Sequence, residues 1–114
     1  MTRNQWHIER EGDVLTLARR LPARFDLSVS TRLPQGSRLR VARQVRQDVW
    51  RALQNLRGFA PVVRVERCEG GLEVTAGGQV DGPFSKAHAE AKIADVLENP
   101  ANRARWVRGR RQDA

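Results

Sequence analysis

A single cysteine, Cys68, rules out an internal disulfide and any multi-cysteine metal site, and it suits a reducing compartment. Tyrosine is absent, and the aromatic residues are three Trp and three Phe. No apolar run approaches the roughly 18 residues that a membrane span needs. Residues 1–10 carry charge and Trp6 where a signal peptide needs an apolar block. The expectation is a cytoplasmic protein with no membrane partner. His7 and His88 are the only histidines, and neither has an acidic or cysteine neighbour at a metal-ligand spacing, so both read as surface residues and no metal is expected. Gly70-Gly71 is followed by neither Gly-Lys-Ser/Thr nor a long GxGxxG pattern, so no cofactor is expected either. Asp26, Glu66, Glu69 and Glu73 offer carboxylates without a spacing that pairs an acid with a base, and Cys68 reads as a half-buried strand cysteine rather than a nucleophile. Catalysis is therefore not expected.

What remains is one domain's worth of globular chain: 114 residues, 39% hydrophobic and 30% charged. Trp6 and Ile8 alternate with His7 and Glu9, Leu15 and Leu17 alternate with Val14, Thr16 and Ala18, and Glu11-Gly12-Asp13 between the two runs suits a tight hairpin. Phe25, Leu27 and Val29 form the third strand. Ser37 then caps a long helix expected to run to Arg57 and stop at Gly58, with Val41, Ala42, Val45, Val49, Ala52, Leu53 and Leu56 on one arc. A second hairpin joins Pro61–Cys68 to Gly71–Gln79, and Ser85 caps a helix that buries Ala89, Ile93, Val96 and Leu97 before Pro100. The order is βββ-α-ββ-α, which predicts an α+β fold: an antiparallel sheet of about five strands with helices on one face. Residues 1–100 form this single domain. Residues 101–114 are a basic C-terminal segment, a short helix to about Arg108 and then a disordered tail. The expected core is Phe25, Leu27, Val29, Val45, Val49, Leu53, Val63, Val65, Leu72, Val74, Ile93 and Leu97.

Lys and Arg number 21 against 13 Asp and Glu, and the excess of +8 is unevenly placed. Residues 37–57 carry +5 and residues 100–114 carry +4, whereas residues 58–99 carry −3. Arginine codons are GC-rich, so the count of arginines carries no argument; their placement does. With Arg43 as origin, Arg40, Arg46 and Arg57 fall within about 60° of it on an ideal helix, and Trp50 falls at about 340°, outside the apolar arc. A tryptophan among guanidinium groups anchors a protein interface or stacks on a nucleobase while the arginines meet phosphates. The C-terminal segment repeats the pattern with Arg103, Arg105, Trp106 and Arg108, which form either a nucleic-acid arm or a solvated charge run with Trp106 and Val107 docked on the body.

Two functions follow. In the first, the protein is a non-catalytic interaction or assembly subunit whose long helix docks on a protein partner or a second copy, with Trp50 as anchor and arginines as rim. In the second, it is a basic accessory domain that binds DNA or RNA without sequence preference, through Arg40, Arg43, Arg46, Arg51 and Arg57 on the helix, Trp50 and the C-terminal arginines. Gly77-Gly78-Gln79 resembles the tripeptide of peptide-chain release factors over three residues only, without the glycine and serine that precede it there. It reads instead as a turn or bulge at a strand end.

Overall fold

The computed structural model describes residues 6–112, with side chains through Val107. Its elements are β1 (His7–Glu11), β2 (Val14–Ala18), β3 (Leu27–Leu33), α1 (Arg38–Ala52), β4 (Phe59–Cys68), β5 (Gly71–Val80), α2 (Lys86–Glu98) and α3 (Pro100–Gln112). The two hairpins form as their alternation predicts, and Gly12 (φ 61°) and Gly70 (φ 84°) supply the left-handed turn residues. The sheet order is β1-β2-β4-β5-β3, with every neighbouring pair antiparallel. The fold is therefore α+β, a five-stranded antiparallel sheet with its helices on one face.

To reach the far edge, the chain between β2 and β3 must cross the ends of β4 and β5. Side-chain and backbone bonds hold it there: Arg19 N donates to Pro61 O (3.3 Å), Gln79 Nε2 to Pro22 O (3.0 Å) and Val80 N to Asp26 Oδ2 (2.8 Å). This crossing corrects one expectation. Phe25 belongs to the crossing segment, not to the third strand, and its ring lies beneath the Arg64 guanidinium, 5.7 Å from the centroid, on the sheet face away from the helices. It is absent from the core cluster; the other eleven expected core residues are in it or packed against it.

Ser37 caps α1 as expected, its hydroxyl accepting from Arg40 N at 3.3 Å. The helix stops at Ala52 rather than Arg57. Leu53 leaves the helical conformation, Leu56 N then donates to Leu53 O, and Gly58 (φ 75°) turns the chain into β4. Arg57 consequently sits in a turn. Leu53 remains buried with Val41, Ala42, Val45 and Val49. α1 lies over β4, β2 and β5, and α2 over β3 and β5, which leaves β1 as the strand without a helix above it.

Pro100 ends α2 only by starting α3. Proline is suited to the first helical position because its missing N–H has no intrahelical partner there, and Asn99 Oδ1 accepts from Asn102 N at 3.0 Å. α3 runs to Gln112, beyond the expected end at Arg108, and packs on both α1 and α2. It is part of the domain's packing. The side chain of Arg108 and the expected tail at residues 113–114 lie outside the described residues. The β3 edge, a template for unwanted strand pairing, is occupied from these helices: Ser28 N donates to Glu90 Oε2 (3.1 Å) and Arg103 Nη2 to Arg32 O (2.6 Å). No helix among the described residues is long and apolar enough to cross a membrane.

Candidate binding site on the outer flank of the first helix

The sequence of α1 sorts its residues onto a core stripe and two flanks. One flank meets α3. There Asp48, 9% exposed and the only acidic residue between 37 and 57, accepts through Oδ2 from both Arg105 Nη atoms (3.0 Å each) and from Trp106 Nε1 (2.9 Å). Arg51 Nη1 stands 3.8 Å from its other oxygen. The helix thus spends its carboxylate on the fold.

The opposite flank carries Arg46 and Trp50. Trp50 lies outside the core stripe, as the helical angle predicts, and is 44% exposed. The two residues line a pocket of about 300 Å3 together with Trp6, Arg19, Phe59 and Pro61. Trp6 precedes β1 and Arg19 follows β2, so the β1–β2 hairpin brings both beside the helix. The Arg46 guanidinium lies 4.6 Å from the Trp6 ring centroid and that of Arg19 5.5 Å from it, distances at which the ring quadrupole attracts the cation. Burial, followed by the neighbouring charges of Arg43 and Arg19, holds the Arg46 pKa below the usual arginine range. Arg46 Nε is buried without a hydrogen-bond partner among the described residues. Among the described residues no acidic side chain lines the pocket.

Such an arrangement is chemically specific. Arg43 and Arg46, with no carboxylate within 4.0 Å among the described residues, favour an anion, and their planar forks match phosphate or carboxylate oxygens. The exposed indole beside them offers a stacking surface. Among the described residues no group of three or more His, Cys, Asp or Glu side chains is placed to hold a metal.

The residues singled out from the sequence separate into three groups. Arg43, Arg46 and Trp50 come together on the exposed flank, with Arg43 on the outer ridge. Arg40 leans the other way, lining a cleft with Pro34, Trp106 and Val107, while Arg51 stands by Asp48 and Arg57 is exposed in the turn after the helix. Among the described residues no carboxylate lies within 4.0 Å of Arg40, Arg43 or Arg46.

The C-terminal residues differ most from expectation. Trp106 is 1% exposed and cannot stack on a ligand, Arg105 holds Asp48, and Arg103 bonds Thr31 Oγ1, Leu97 O and Arg32 O. They tie α3 to the body instead of forming an arm. Sequence reasoning missed Trp6, Arg19, Phe59 and Pro61. The alternation places Trp6 on the same side as Ile8, but only the strand order reveals that no helix covers that side. No protein family, curated protein or solved structure matches the chain.

Proposed function

We propose that the protein is a non-catalytic, cytoplasmic binding module that takes single-stranded nucleic acid on the exposed flank of α1. Arg43 and Arg46 contact phosphates and Trp50 stacks on a base. One observation carries this reading: an exposed tryptophan shares a helix flank with Arg43 and Arg46, neither of which has a carboxylate within 4.0 Å among the described residues. Protein interfaces also use tryptophan and arginine as central anchors; what favours an anionic partner is that Arg46 stands against Trp6 with no carboxylate within 4.0 Å among the described residues. A partner seated on Trp50 must bring anions and flat rings together, and an unpaired strand has both. Phosphate contacts carry no sequence information, so weak sequence preference is expected.

The footprint is smaller than the charge of the chain suggests, because Arg103, Arg105 and Trp106 are engaged in the fold. With the two phosphates met by Arg43 and Arg46, the slope of log affinity against log salt on a single strand is expected near about −1.4, from about −0.7 per contact. Fluorescence anisotropy with a labelled oligodeoxythymidylate measures it. Arg43→Ala combined with Arg46→Ala is expected to weaken binding and flatten the slope by about 1.4. Trp50→Ala is expected to cost about 1–3 kcal/mol of binding with the slope unchanged, since stacking releases no counterions. Absence of binding by the wild type at about 50 mM salt overturns the proposal. If Trp50→Ala then alters the oligomeric state, the interface reading of the same helix face takes its place.

A further inference from the structure

We propose that the bound strand does not end at Trp50 but continues along the uncovered side of β1 to a second anion-binding corner formed by Arg10, Arg38 and Arg67. The inference rests on the nucleic-acid reading of the Trp50 flank and adds its path and length.

The path follows from the register. Trp6, Ile8 and Arg10 alternate onto one side of the β1 segment, and the pairs Ile8–Leu17, Arg10–Leu15 and Leu15–Val65 identify that side as the one facing the helices. No described helix packs extensively on it, and Ile8 is 39% exposed. α1 runs beside this strip in the opposite direction. Its first residue, Arg38, donates to Gly12 O in the β1–β2 turn (3.2 Å), whereas Arg46, two turns later, lies over Trp6. Eight residues of helix rise about 12 Å, and the four steps from Trp6 to Arg10 span about 13 Å. The two contacts therefore frame a strip of matching length between helix and strand, with an apolar floor at Ile8.

The far end is basic like the near one. Arg38 is tied to Gly12, and Arg67 N donates to Asp13 O (3.0 Å), with its side-chain Nε 3.6 Å from Asp13 Oδ1. Arg10 pairs with Leu15, one step from the same turn, and points to the helix side. The three cations are close enough that Arg67 and Arg10, after burial, depress the Arg38 pKa. Asp13 opposes Arg38 and Arg67 among the described residues, and it is largely exposed. Two cationic ends joined by an apolar strip complement a strand whose phosphates and sugars alternate along its length. A compact anion would use one end only.

Length dependence separates this track from the Trp50 site. Affinity is measured by anisotropy for oligodeoxythymidylates of about two and about twelve nucleotides, one too short to span the strip and one within the usual range of single-strand sites. Wild type is expected to hold the long strand with the steeper salt dependence. Arg10→Ala with Arg67→Ala, both at exposed positions, is expected to weaken the long strand about tenfold and flatten its slope by about 1.4, leaving the short one unchanged. Asp13→Asn is expected to do the reverse, tightening only the long strand, and this gain cannot arise from a folding defect. If the double variant weakens both strands equally or neither, or if Asp13→Asn changes nothing, the track is refuted while the Trp50 site stands. If wild type binds neither strand, the site and the track fall together.

Discussion

Trp106→Ala is expected to lower the free energy of unfolding by about 3–5 kcal/mol, the usual range for truncating a buried tryptophan. α3 is a 13-residue, strongly basic helix, and isolated helices of that length are marginal in water. Tertiary contacts must hold it, and Trp106 is its residue inside the core cluster, with Val107 packed at the margin. The substitution removes the packing and also one of the donors that satisfy Asp48. Trp106→Phe keeps most of the ring but not the N–H, so it isolates the second effect at about 1–3 kcal/mol. Urea unfolding followed by circular dichroism measures both. Values within a few tenths of a kcal/mol of wild type for the Ala variant would mean that α3 is not integral to the domain.

The same helix shows which features of the fold are legible in the sequence. Ser37 and Ser85 act as caps because capping is local: a side-chain oxygen meets a backbone N–H three residues on. The hairpins are legible for a similar reason, since alternation and turn glycines act over ten residues. Trp50 is legible as lying outside the apolar arc because a helical angle decides it; its 44% exposure is not, since that depends on what packs beside the helix. α3 lacks an apolar stripe, however, and the group that seats Trp106 lies 58 residues away on another helix. No window of sequence connects the two. Phe25 failed for the opposite reason, because its alternation with Leu27 is real but the crossing segment turns before the strand begins. The pocket depends on longer-range information still. Trp6 reaches Arg46 only because β2 pairs with β4, beneath α1.

Gly77→Ala is expected to cost about 3 kcal/mol or more, the upper end for forcing an added methyl into a packed site. Gly77 lies in β5 with a neighbour on each side, opposite Val62 of β4 and Ser28 of β3. A Cβ there would meet the Leu27 carbonyl oxygen and come within 2.9 Å of Ser28 Cα. These are backbone atoms at the start of β3, where Asp26 is fastened to Gly78 and Val80, so relief requires moving the end of the crossing segment. The next residues are similarly committed: a Cβ on Gly78 would meet Ala60 O, and the Gln79 side chain is buried on Pro22 O. Gly-Gly-Gln is thus accounted for by the crossing of chain over strand. Gly70→Ala supplies the comparison within the same protein. Its φ is 84° but nothing lies within 4 Å of the added carbon, so only the left-handed conformation is penalised, at about 1–2 kcal/mol. Thermal or urea unfolding of the two variants should therefore separate by at least 1 kcal/mol in favour of Gly70→Ala. Equal losses would show that the strands at Gly77 are not in close approach, and the tripeptide would again need another explanation.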